Sequence, residues 1–299
     1  MEPQLTIAAV EREVGLSKDV LRVWERRYGF PAPLRDRNDE RLYPADQVRR
    51  LRLVKRLMDQ GHRPGRLLAC PVEELEQLAS AQALPLRAGA SAPGSDEASD
   101  ELLACLRSHD ATGLTRLFQQ HLARRGLQHL VQDIAAPMAV LVGEQWACGG
   151  LQVFEEHLFT ETCTRVLRQA IAAVPAGSAP TVLLTTAPEE SHGLGLLMVE
   201  SLLALQGARC IGLGTQMPLA EIVQAAQVYR ADVVALSFSS AFPARRLPEV
   251  LRQLRTALAG GVQVWAGGAA VRRLPAIAGV QLLPGLQHAV AAVQAWQVR

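Results

Sequence analysis

TVLLTTAPEESHGLG, residues 181–195, decides how the C-terminal part of this chain is read. Thr181 to Ala187 form a nearly continuous apolar run, too short for a helix and suited to a strand buried on both faces. RCIGLG (209–214), DVVALSFS (232–239), VQVWAGG (262–268) and VQLLPG (280–285) repeat that character, with helix-length segments between them. Such strands alternating with helices make a parallel sheet covered on both sides. Residues 177–299 are therefore expected to form a doubly wound, Rossmann-like (flavodoxin-like) α/β domain. The loop after the first strand then falls at the carboxyl edge of the sheet, where these folds bind ligands. In it Glu190 stands two residues before His192, and Gly193 and Gly195 follow. An imidazole projecting from such a loop can coordinate a metal, with the neighbouring carboxylate orienting the ring. The glycines let a bulky planar ligand approach the backbone. The plainer alternative is a surface or capping histidine.

Upstream of Pro175 the period changes. Apolar residues recur at helical spacing in four groups: Leu102, Leu103 and Leu106; Leu114, Leu117, Phe118 and Leu122; Ile134, Met138, Leu141 and Val142; Phe154, His157, Leu158 and Phe159. A four-helix bundle is expected over residues 100–176. AQALPLRAGASAPGSDEAS, residues 81–99, has no apolar period and reads as a flexible linker. It sets apart a head, residues 1–80.

With 299 residues, 49% hydrophobic and 20% charged, the chain is globular and long enough for two or three domains. The net charge of +2 conceals an asymmetry: Met1 to Cys70 hold 15 Lys/Arg against 10 Asp/Glu, leaving 16 against 19 for the rest. Basic charge collected at one end suits a polyanionic partner. Five cysteines without Cys-x-x-Cys spacing support neither a disulfide framework nor a zinc site. No leader-like start or membrane-length apolar run is present, so a cytoplasmic location without membrane association is expected.

Within the head, Thr6 can cap a helix through Val14, Gly15 permits a turn, and Ser17 can cap a second helix to about Arg27. Two helices joined in this way form a helix-turn-helix. On the second, Lys18, Arg22 and Arg26 share one face, and Val20, Leu21, Trp24 and Tyr28 the other. A cationic stripe opposite an apolar anchor can sit in a major groove, although a solvated helix face has the same look. PAPLRDRNDERLYP then supplies a hairpin turning near Asn38-Asp39 and carrying Arg35, Arg37 and Arg41, a wing suited to phosphates. Pro44 opens a further helix with Val48, Leu51, Val54, Leu57 and Met58 buried, ending at Gly61.

TIAAVEREVGLSKDVLRVWERRYGF followed by RLYPADQVRRLRLVKRLMDQGH resembles the winged helix-turn-helix DNA-binding domain of MerR-family regulators, including Leu-Arg-x-Trp-Glu at Leu21 to Glu25 and Arg-Leu-Tyr at Arg41 to Tyr43. The resemblance implies a dimer on an inverted repeat of double-stranded DNA, able to distort a promoter read by RNA polymerase. It makes Lys18, Arg22, Arg26, Arg35, Arg37, Arg41 and Tyr43 the DNA-contact candidates.

Glu190-x-His192-x-x-Gly195, then Ser237 with Ser239, then Gly267-Gly268, resembles the cobalamin-binding domain of methionine synthases and coenzyme-linked mutases. The resemblance implies that His192 is the lower cobalt ligand, replacing the cofactor's own base, and that Gly193, Gly195, Ser237, Ser239, Gly267 and Gly268 belong to the cofactor site, the serines and later glycines lining the slot for the displaced nucleotide tail. Two positions depart from the family pattern: Glu190 stands for Asp, and Ser239 for Leu or Thr. Trp146, nine residues and then Glu156-His157 is similar to the signature of cobalamin photoreceptor regulators of the CarH/LitR type, which places those side chains, with Val153, about the adenosyl group of adenosylcobalamin. In that subgroup a histidine commonly follows the tryptophan and caps cobalt after illumination. Ala147 cannot do so.

The expected function is a cobalamin-dependent, light-responsive repressor, not an enzyme, whose homo-oligomeric state (dimer or tetramer) or DNA affinity follows the bound cofactor. The alternative is a MerR-type regulator whose cobalamin-like domain senses a protein partner or another tetrapyrrole, haem or bilin. A cobalamin enzyme would need a catalytic domain, which the sequence does not display.

Overall fold

The computed structural model describes residues 4–59, 62–81 and 95–298. They fall into two compact units, the head together with Gly143–Gln152, and the remainder.

The head follows its capping residues. Thr6 accepts from the Ala9 N–H to start α1 (Ile7–Val14), and Gly15 closes it at φ 72°. Ser17 accepts from the Val20 N–H to start α2 (Lys18–Tyr28), closed by Gly29 at φ 66°. Those left-handed closures suit glycine. The wing is β2 (Leu34–Arg35) against β3 (Arg41–Pro44), with Arg35 opposite Arg41 and Asp39 at φ 63° in the turn. A third strand, β1 (Gln4–Thr6), pairs with the other edge of β3. It was not expected, being only three residues long. α3 (Ala45–Asp59) buries Val48, Leu51, Leu53, Val54 and Leu57 among Leu21 and Trp24; its expected end at Gly61 lies outside the described residues. Two short helices, α4 (Pro64–Leu67) and α5 (Val72–Ala81), complete this core.

Residues 82–94 of the expected linker lie outside the described residues, and its last five are already helical in α6 (Ser95–Arg107). The bundle continues with α7 (Ala111–His129), a π-helical segment (Leu130–Ala135), α8 (Ala136–Ala147) and α9 (Val153–Ala172). α7 is interrupted at Gly126, where φ is 80°. The wide π turn precedes Pro137, which cannot donate a backbone hydrogen bond, a common cause of such insertions.

The α/β domain carries β4 (Thr181–Thr185), β5 (Arg209–Gly212), β6 (Val233–Ser237), β7 (Gln263–Gly267) and β8 (Val280–Leu283) in the order β5-β4-β6-β7-β8, all parallel. α10 (Leu194–Leu205) and α13 (Leu286–Gln297) cover one face; α11 (Leu219–Val228) and α12 (Leu247–Ala257) cover the other. The chain reverses direction across the sheet between β4 and β6, opening a crevice at their carboxyl ends. His192 and Ser239 stand in the loops that leave those two strands.

Candidate functional site

Glu190 organises the crevice. It is 1% exposed, yet all its carboxylate partners are donors. Oε1 accepts from the His192 N–H at 2.9 Å and lies 2.7 Å from His192 Nδ1; Oε2 accepts from the Ser239 N–H at 2.7 Å and the Ser239 hydroxyl at 2.9 Å. Burial by itself would raise the carboxyl pKa, but the bonds from His192 and Ser239 outweigh it and hold the group below its ordinary value. Glu190 is therefore an anion whose two oxygens tie the loop after β4 to the loop after β6.

His192 receives the benefit. Its side chain is 60% exposed while Nδ1 is held by Glu190, with the Ser239 hydroxyl 3.2 Å away. A carboxylate at Nδ1 fixes the tautomer that keeps the proton there and leaves the lone pair on Nε2. Thr186 braces the loop by donating to the Glu190 carbonyl and accepting from the Gln216 N–H at 2.8 Å. This brace was not anticipated from sequence.

Gly195, Ser237, Gly267 and Gly268 line a slot of about 160 Å³, together with Val199, Trp265 and other apolar side chains. A Cβ on Gly195 would stand 3.3 Å from Ser237 Oγ, inside the slot. Gly268 has a structural reason as well: φ is 101°, and a Cβ would meet the Phe238 carbonyl oxygen at 2.2 Å. Gly193 precedes α10, where a Cβ would press on Thr215 at 3.1 Å.

In the bundle, Glu156 Oε2 and His157 Nδ1 lie 2.7 Å apart, and Thr160 donates to the other Glu156 oxygen at 2.8 Å. Val153 opens the same helix, half-buried. The neighbouring Glu155, 6% exposed, pairs with His109 at 3.1 Å, a contact sequence spacing did not reveal. Trp146 belongs to the head's unit, with the Arg52 guanidinium over its ring at 5.1 Å.

Among the DNA-contact candidates, Arg22, Arg26, Arg35 and Arg37 are exposed and Lys18 is half-exposed. One candidate is corrected. Tyr43 is fully buried in the head's core, where its ring packs and cannot reach a phosphate. Arg41 is half-buried and bound to Glu25 of α2 at 2.8 Å, which raises its pKa; this ion pair ties the wing to α2, and Arg41 stays a candidate.

Residues 5–66 match the MerR HTH family of regulatory proteins, and residues 98–171 and 180–286 each match a B12 binding domain. The chain is 31% identical over 266 residues to the HTH-type transcriptional repressor CarH of Myxococcus xanthus, covering 88% of each chain. It belongs to the MerR regulators that carry a B12-binding domain. CarA, another HTH-type transcriptional repressor of Myxococcus xanthus, is 29% identical, covering 91% of this chain and 90% of its own. The monomethylamine corrinoid protein of Methanosarcina barkeri superposes with a TM-score of 0.54 at 17% identity, over 68% of this chain and 99% of its own, a likeness of fold. In this regulator no helix among the described residues is long and apolar enough to cross a membrane.

Proposed function

We propose that this regulator is a cobalamin-dependent repressor that holds adenosylcobalamin against its α/β domain and binds operator DNA according to the state of that cofactor. One observation carries the reading: the Glu190–His192–Ser239 network holds a histidine at Nδ1 three residues before Gly195, which edges a glycine-lined slot. His192 Nε2 is the atom suited to cobalt from below, because a carboxylate at Nδ1 strengthens the opposite nitrogen as a ligand. The slot edged by Gly195, Ser237, Gly267 and Gly268 suits the flat base of a displaced nucleotide tail, in the space a side chain on Gly195 would narrow. Trp146, Val153, Glu156 and His157 are assigned to the upper face on the strength of the family signature.

When bound, adenosylcobalamin supplies a cobalt–carbon bond that visible light breaks. The protein's own part is to orient the ring through His192, shield its upper face, and turn loss of the adenosyl group into a change of assembly. A dimer or tetramer presents several heads to one inverted repeat, so assembly multiplies DNA affinity and blocks RNA polymerase. That the similar Myxococcus proteins are repressors supports this sign of regulation. Ala147 is buried and carries no donor, so any histidine ligation above cobalt after illumination must come from elsewhere.

The test is adenosylcobalamin titration of wild type and His192→Ala, with size exclusion and operator binding in darkness and after green light. Equal binding by both proteins removes His192 as the ligand. A spectral change without change of mass or DNA affinity removes the light switch and keeps a sensor of cofactor level. Failure to bind cobalamin, with haem, bilin or a protein partner bound instead, selects the alternative sensor.

A further inference from the structure

Three arginines one and two turns apart on α3 track the last turns of α8 and the segment that follows it. The Arg56 guanidinium stands 3.7 Å from the Glu144 carboxylate, Arg52 covers the Trp146 indole at 5.1 Å, and the Arg49 side chain passes so close to Gly149 that a Cβ there would lie 2.9 Å from it. Positions 49, 52 and 56 share one helix face. Gly149, at φ 76°, lets the segment turn across that face, and Ala147 and Leu151 in it are buried.

We propose that this face of α3 is a docking surface for Gly143–Gln152, and that docking competes with cofactor binding because both need Trp146. The inference rests on the reading above, in which Trp146 covers the upper face of the corrin. One indole cannot lie under the Arg52 guanidinium and over a corrin ring. Seating the cofactor therefore withdraws Trp146 from α3 and frees the head, and freeing the head favours the cofactor, since coupling between two binding events is reciprocal.

The contact is built for reversal. Arg52 is almost wholly buried and also ion-paired with Glu13, and burial pulls its pKa down. Its Nε and the Trp146 Nε1 are both buried without a hydrogen-bond partner. The cation–π contact and the Arg56–Glu144 ion pair thus work against two unmet donors, which leaves docked and released arrangements close in free energy. A Trp146 at home in this position would have an acceptor for its N–H.

The experiment uses the full chain with Glu144→Arg, which sets two cations against each other, and the swap Arg56→Glu/Glu144→Arg, which restores the pair. Two quantities are read: adenosylcobalamin affinity in darkness, and hydrogen exchange at Gly149 to Leu151 without added cofactor. Glu144→Arg is expected to tighten binding by about three- to tenfold, the docked population no longer taxing the affinity, and to speed exchange; the swap returns both to wild type. Faster exchange with unchanged affinity overturns the competition, and no change in either overturns the docking surface. If no variant binds cobalamin, the cofactor reading fails and takes the competition with it, while the exchange data still decide whether α3 holds the segment.

Discussion

The Glu190 carboxylate accepts both the backbone N–H and the hydroxyl of Ser239 on one oxygen, while its other oxygen holds His192. The two departures from the family motif, Glu for Asp and Ser for Leu or Thr, are thereby one feature. The extra methylene lets the carboxylate span from the β4 loop to the β6 loop, and the serine hydroxyl, a donor that leucine there would lack, gives its far oxygen a second partner.

Removing that donor tests the pairing. Ser239→Ala keeps the backbone N–H and loses one charge-assisted bond, so cobalamin affinity should fall by about 1 kcal/mol, roughly fivefold. Glu190→Asp retains the charge but shortens the span; in the Ser239→Ala background it should cost less than in wild type, because the contact it would break is already gone. Additive losses in a titration of the four proteins would disprove the linkage.

Acid should probe the same network. Glu190 is held below its ordinary pKa of 4.5 when folded, so the unfolded chain takes up its proton first and stability falls with falling pH. Its contribution is complete above about pH 5 and is lost as pH drops through the depressed folded value. Melting curves between pH 7 and pH 3 should therefore separate wild type from Glu190→Gln most at the neutral end, with the two lines converging in acid. Parallel lines would mean that the carboxylate adds no pH-dependent stability.

The slot glycines separate folding from binding. Gly268→Ala places a methyl against the Phe238 carbonyl at a left-handed φ and should unfold the α/β domain or lower its melting temperature by many degrees, a cost of about 3 kcal/mol or more. Gly195→Ala meets only the Ser237 hydroxyl, at 3.3 Å, and should leave the melting temperature within a few degrees while weakening cobalamin by narrowing the slot. Thermal unfolding with cofactor titration on both variants distinguishes these outcomes; wild-type affinity in a folded Gly195→Ala protein would place the tail elsewhere.

Much of this was legible because it is local. Thr6 and Ser17 announce their helices by capping chemistry, and the apolar runs at 181–187 and 232–239 announce buried parallel strands. The partners of Trp146, Arg41 and Tyr43 were not legible, since each is decided by a residue distant in sequence: Arg52, Glu25 and the core around α3. Arg41 carried the same cationic signal as Arg35 and Arg37, and only the fold brings Glu25 within reach. The π segment had a local sign in Pro137, overridden by the regular spacing of Ile134, Met138, Leu141 and Val142.

The head offers the last contrast, between arginines proposed to meet DNA and one that is ion-paired within the head. Arg26 is exposed on α2, so Arg26→Ala should leave the head's stability unchanged, weaken operator binding, and flatten the dependence of log affinity on log salt by about one for a lost phosphate contact. Arg41→Met removes a half-buried cation bound to Glu25 at 2.8 Å and leaves that carboxylate without its partner, so it should lower the head's melting temperature by about 4–8 °C for each kcal/mol lost. Glu25→Gln decides between the roles of Arg41 because it breaks the pair without removing a cation. If Arg41 serves as a wing fastener, Glu25→Gln destabilises the head as Arg41→Met does. If Arg41 acts on phosphate instead, Glu25→Gln leaves the melting temperature alone and strengthens DNA binding by removing a nearby negative charge.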